Sequence, residues 1–222
     1  MTGPKVTFTP SPKVLAFLDR DEWFISHDFA DWTSTVAGTG STTRSVRRAL
    51  TLSGTTAAGT ALLRNTTNMG WSAGKVRSIL NWSKKIVFHA FISNPSSTTN
   101  GVSRLTFGKL SSNGVGDLAH KGIGIQLDAD ALKGIVHNGS SGATVDLSTT
   151  LTAGIVYKLT IVSDGAGNVE WFLDGVSKGT SSAGPTGDGA TNKHIVQIET
   201  DNGADAAQQD LEMYSLKIYV EQ

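Results

Sequence analysis

Val156 to Thr180 reads VYKLTIVSDGAGNVEWFLDGVSKGT, and this stretch decides the fold. Ile155, Tyr157, Leu159 and Ile161 fall on one face, with Lys158 and Thr160 opposite. Further on, Val169, Trp171 and Leu173 share a face, with Glu170 and Asp174 opposite. Alternation of period 2 marks strands with one buried face. Asp164-Gly165-Ala166-Gly167-Asn168 between them supplies residues that tolerate positive φ, as a hairpin turn requires. The stretch predicts two antiparallel strands, with Trp171 in the core.

The same pattern extends outward. Ile86 to Ser93 is apolar on both faces, which predicts a central strand covered on both sides. Val102 to Leu110, Gly122 to Asp128, Leu132 to Asn138 and Ala143 to Ser148 follow at the spacing of a meander. Phe24 to Phe29, Arg47 to Leu52, Thr60 to Asn65 and His194 to Thr200 read as further strands. Thr33 to Thr43 reads as a Thr/Gly/Ser loop, and Lys75 to Trp82 is ambiguous between strand and short helix. In the last strand the apolar phase shifts between Met213 and Leu216, which predicts a bulge near Tyr214-Ser215. Ile123, Ile125, Leu127, Leu159, Ile161, Trp171, Leu173, Val196 and Ile198 are the expected core.

The hairpin ending in Leu173-Asp174-Gly175, with the closing segment Asp210 to Val220, resembles concanavalin A-like sandwiches. That group includes legume lectins, laminin G-like domains, pentraxins and several glycoside hydrolase and polysaccharide lyase families. The resemblance covers roughly Lys84 to Val220. It implies an all-β fold: a two-sheet antiparallel jelly roll, as one domain over 21–222 after an N-terminal arm. A fold of this kind hosts many functions, so function must be read from the site.

Composition narrows the classes. The 222 residues carry 19 basic and 19 acidic side chains, against the basic excess that nucleic-acid binding uses. Arg44-Ser45-Val46-Arg47-Arg48 is the one basic cluster and reads as a solvated edge. Cysteine is absent, which removes disulfides, thiolate metal sites and a cysteine nucleophile. Met1 to Val6 has no apolar signal core, and no run approaches the ~18 apolar residues of a membrane span. The expectation is a protein made in a cytoplasm, with neither membrane nor nucleic acid as partner.

Catalytic motifs are broken. The resemblance implies a Glu-x-Asp-x-x-Glu strand in a hydrolase; Glu199-Thr200-Asp201 gives the first half, but Ala204 stands where the second Glu belongs. A lyase of the group would carry Arg, Gln-x-His and Tyr-x-Lys on the concave sheet; Tyr157-Lys158 and Tyr214 to Lys217 miss that spacing, and Lys217 and Tyr219 are in reverse order. His27, His89, His120, His137 and His194 form no zinc spacing, and His89 reads as a hydrogen-bonded core histidine. No enzymatic activity is expected.

Binding candidates remain. Trp71 beside Asn68 reads as an exposed aromatic for sugar stacking, with Gln197 and Glu199 as polar partners. Calcium wants six to eight hard oxygens, and Asp201, Asn202 and Asp205 offer a set, with Asp128 and Asp130 offering another; ordinary turn chemistry is the alternative. Residues 1–20 combine Thr9-Pro10-Ser11-Pro12 with Val14, Leu15, Phe17 and Leu18, which predicts an arm that docks on another chain; folding back on its own sandwich is the competitor. A cysteine-free, charge-balanced, Ser/Thr/Gly-rich sandwich of this kind resembles surface modules of tailed-bacteriophage virions, such as head decoration or fibre proteins. The expected role is a non-catalytic structural or adhesion module of a virion, partnered by other virion chains, by itself as a homo-oligomer, or by a surface glycan. A stand-alone carbohydrate-binding module and a divergent hydrolase or lyase are the alternatives.

Overall fold

A computed structural model describes residues 22–26, 29, 32–45, 48–52, 59–64, 81–95, 101–110, 116–187, 194–201 and 210–221. These residues form strands and turns, with no helix among them. The strands are β1 (Glu22–Ser26), β2 (Thr33–Ala37), β3 (Ser41–Ser45), β4 (Arg48–Leu52), β5 (Thr60–Arg64), β6 (Ile86–Ser93), β7 (Val102–Leu110) and β8 (Gly122–Asp128). They continue with β9 (Ala131–His137), β10 (Gly142–Thr150), β11 (Val156–Ser163), β12 (Val169–Leu173), β13 (Val176–Ser181), β14 (His194–Asp201) and β15 (Asp210–Val220).

Two antiparallel sheets result. Sheet 1 runs β13-β12-β11-β6-β15-β4-β3, with β1 also on β15. Sheet 2 runs β10-β9-β8-β7-β14-β5-β2. The 11-residue β15 takes β6 along one side; along the other it takes β4 at Asp210–Met213 and β1 at Leu216–Val220. Its register slips between Met213 and Ser215, the bulge expected from the phase shift.

The deciding hairpin forms as read. β11 pairs β12 from Leu159↔Leu173 to Ser163↔Val169. In the turn, Asp164 Oδ1 accepts from the Ala166 and Asn168 amides at 2.7 and 3.0 Å. At the next turn Asp174 and Gly175 have φ of 51° and 84°, the two consecutive positive values of a tight hairpin. All nine expected core residues are buried. Trp171 joins the sheets: its ring fills the space over Gly134 of β9, where an added Cβ would lie 2.5 Å from the indole. Its Nε1 donates to the Gly124 carbonyl at 2.8 Å, so the buried polar atom is satisfied. Trp82 and Phe107, with centroids 5.5 Å apart, and Phe88 on Phe107 continue the core. Burial of each such side chain contributes about 1.5–3 kcal/mol.

Three expectations need correction. Thr33 to Thr43 is not a loop: it forms β2 at the edge of sheet 2 and β3 at the edge of sheet 1, joined through Gly38–Gly40. Their Ser and Thr side chains are mostly exposed, so no apolar alternation advertises them; their β-branched threonines suit an edge strand. β6 is central, but its outer face is only partly covered: Val87 is buried while Phe91 is 45% exposed. Ile155 precedes β11 and is exposed rather than inward. The arm at 1–20 lies outside the described residues, as do 75–80 of the ambiguous segment; Trp82 itself is a buried turn residue.

Candidate functional site

The outer face of sheet 2 is where β14 presents Gln197 and Glu199. The register sets Leu62, Glu199, Arg104, Gln126 and Lys133 abreast across β5, β14, β7, β8 and β9. An outer face should be wet, yet Glu199 and Gln197 are fully buried and Arg104 nearly so. Arg104 organises the cluster. Its Nη1 donates to Glu199 Oε1 at 3.3 Å, its Nε to Gln126 Oε1 at 3.0 Å, and its Nη2 to Asp117 Oδ1 at 2.7 Å. Gln197 Nε2 donates to the other Glu199 oxygen. The Gly116 amide donates to Glu199 Oε1 at 3.1 Å.

Gly116 and Asp117 belong to the connection between β7 and β8, which therefore folds back over its own sheet. Leu118 follows them, buried against Gly122, where an added Cβ would meet it at 3.0 Å. A buried ion pair holds only where hydrogen bonds satisfy the remaining atoms, and here they do. Glu199 and Gln197 were expected to face a sugar; the structure places them in an internal network instead. The reason is this back-folded segment, which a period-2 reading of β14 does not reveal. Asp201, next on that face, is half-buried at the strand end. Trp71, Asn68, Asn202 and Asp205 lie outside the described residues. Of the second oxygen set, Asp128 pairs with Lys133 and Asp130 accepts from Asn94 at 2.6 Å. Among the described residues no three His, Asp or Glu side chains converge for a metal.

The outer face of sheet 1 is different. At one end Glu212 is buried and held by Arg48, by Ser93 Oγ at 3.0 Å and by Tyr214 OH at 2.5 Å. Burial and this carboxylate push the Tyr214 phenol up. At the centre, Thr160, His89 and Lys217 stand abreast on β11, β6 and β15, with Lys158, Phe91 and Ser215 abreast one step along. His89 is hydrogen-bonded, as expected, through Nδ1 to Thr160 Oγ1 at 2.7 Å, but on the outer face rather than in the core. Tyr219 meets its ring edge-on at 5.9 Å. Burial first, then Lys158 and Lys217, lower its pKa to about 4. Burial also lowers Lys158, an effect that Asp174 opposes and Lys217 reinforces. At the far end a cleft of about 750 Å³ opens by the Asp164 turn, with Val162 and Phe172 under a rim that includes Lys85, Asn168, Glu170 and Thr180. Glu170 Oε1 accepts from Ser177 at 2.8 Å. Sequence reading missed this cleft because Glu170 and Phe172 appear there only as the second face of a hairpin.

The two antiparallel sheets have the fold of the concanavalin A-like sandwiches. The neighbours in known structures carry that assignment. A protein of unknown function from Shewanella oneidensis MR-1 superposes with a TM-score of 0.58 at 15% identity, covering 99% of this chain and 96% of that one. The carbohydrate recognition domain of Emp47p gives 0.58 at 9% identity, over 92% and 99%. The endo-β-1,4-glucuronan lyase from the fungus Trichoderma reesei gives 0.55 at 11%, over 90% and 95%. No family model matches the chain, and no curated protein matches it by sequence. At these identities the likeness is one of fold.

Proposed function

We propose that this protein is a non-catalytic sugar-binding module whose binding surface is the outer face of sheet 1. One contrast carries the reading: sheet 2's candidate carboxylate is internally neutralised and covered, while sheet 1 keeps an open cleft. Glycoside hydrolysis uses two carboxylates about 5 Å apart, or further when water must fit between them, flanking an accessible bond. Glu199 is instead buried against Arg104 beneath Gly116. The cleft by the Asp164 turn has what a sugar needs: apolar Val162 and Phe172 for the ring faces, and amide, carboxylate and hydroxyl groups on its rim. The lectin-type neighbours support the same reading by analogy of fold.

The narrower setting is adhesion at a virion surface, with assembly onto other virion chains through residues 1–20. Its support is the composition described above. Purified particles carrying the full chain, but not a chain lacking residues 1–20, are the expected result; equal incorporation of both contradicts it. For sugar binding, a glycan array probed with the intact protein and with Glu170→Ala decides the matter. The expected result is retention of a defined glycan group that Glu170→Ala weakens. Retention of none contradicts the proposal.

A further inference from the structure

The centre of sheet 1's outer face gathers like charge. Lys217 lies directly beside His89 on one neighbouring strand, and Lys158 one step along on the other. Adjacent strands lie about 4.8 Å apart, less than the reach of a lysine side chain, so both ammonium groups can extend over the histidine. The two lysines repel a protonated His89, while Lys158 is attracted by Asp174 and repelled by Lys217.

Glu212 and Glu170 sit at the margins of this face with partners of their own, and Asp174 lies beside Lys158 and attracts it. Glu212 is held by Arg48, Ser93 and Tyr214. Glu170 accepts from Ser177. Asp174 ends the β12 turn, where its Oδ1 accepts from the Lys158 amide at 2.8 Å. Between these margins stands Phe91, 45% exposed on the same face of β6 as His89. An exposed ring in a row with lysines offers an apolar face and cations side by side. A sugar acid suits it: a pyranose face packs on an aromatic ring while its anionic group takes the ammonium hydrogens. Thr160 and Ser215 add hydroxyls beside the same rows.

We infer that this face binds an acidic glycan, its carboxylate or sulfate held by Lys158 and Lys217 next to His89 and its ring packed on Phe91. The inference rests on the sugar-binding reading above and names its ligand class. It runs continuously into the cleft, because Phe172 lies beside Thr160 and Val162 follows it on β11.

The test is a titration of the full chain, followed by NMR, with an oligouronate, a neutral oligosaccharide of equal length, and inorganic sulfate. The oligouronate should perturb Phe91 and His89 and raise the His89 pKa, since an anion favours the protonated ring. Lys158→Gln and Lys217→Gln should each weaken it about ten-fold, the scale of one charge-assisted contact, with melting temperatures unchanged. Weakening should also follow added salt. Equal affinity for the neutral oligosaccharide overturns the inference and leaves the sugar-binding reading standing. Sulfate alone binding as tightly as the oligouronate, or a homopolymeric RNA binding more tightly, overturns the inference in favour of a general anion surface. Binding of no sugar of either kind overturns both.

Discussion

The centres of the two outer faces handle charge in opposite ways. On sheet 2, Arg104 draws Glu199, Gln126 and Asp117 into one network, and the chain folds Gly116 to Leu118 over it. On sheet 1, two lysines crowd a histidine, with Asp174 beside one of them and Glu212 at the margin. Both faces come from strands with the same alternation. The difference teaches that what crosses a face decides its exposure: Gly116 to Leu118 bury Glu199 on a face that alternation alone would leave wet. On sheet 1 no described connection crosses the row of His89 and Phe91, and Phe91 stays 45% exposed.

Substitutions can break this contrast. The largest effect should come from Trp171→Ala, because that ring joins the sheets and supports both faces. Loss of about 3–5 kcal/mol is expected in denaturant unfolding. A loss under about 1 kcal/mol, the scale of surface changes, would mean that the inner and outer faces are interchanged.

Glu199→Ala comes next, since it leaves Arg104 buried without this partner. It should cost about 3–5 kcal/mol, and adding Arg104→Met should restore part of that. If the single variant is as stable as the parent, the sheet 2 face is not closed.

On sheet 1 the sharpest stability signal is His89. Its folded pKa is about 4, against an ordinary 6.5. The folded ring stays neutral while the unfolded ring takes a proton. Stability from this group is therefore complete above pH 6.5, falls as the pH drops, and is gone near pH 4. The loss should be on the order of 3 kcal/mol, and His89→Gln should flatten the curve within that window. An unchanged curve would place His89 in water.

Lys217→Gln should be the smallest, within about 0.5 kcal/mol, and it should stabilise if it moves at all, since it removes repulsion. Clear destabilisation would show that Lys217 has a structural partner.

Much of this fold was legible because alternation is local. The hairpin through Asp164, the inward faces of β8 and β14 and the slip at Tyr214-Ser215 all follow from residues within a few positions of each other. The β2 and β3 edges were not legible, since exposed Ser and Thr leave no hydrophobic period. The outer-face networks were not legible either. Arg104 meets Glu199 across 95 residues, and Arg48 meets Glu212 through a strand pairing that no motif marks. Glu199 was read as a sugar contact, and its burial against Arg104 and Gly116 depends on a connection that carries no periodic signal. The grouping of Lys158, Phe91 and Lys217 combines three strands, so it exists only once the register is known.

The central claim is that the sandwich recognises sugar without cleaving it. Its most direct test incubates the protein with a panel of neutral and acidic polysaccharides and follows new reducing ends and unsaturated products together. The account predicts no turnover above the buffer, with parent and Glu199→Gln indistinguishable. Sustained turnover that disappears in Glu199→Gln would contradict it, and would turn the Arg104–Glu199 cluster from a closed structural network into a catalytic centre.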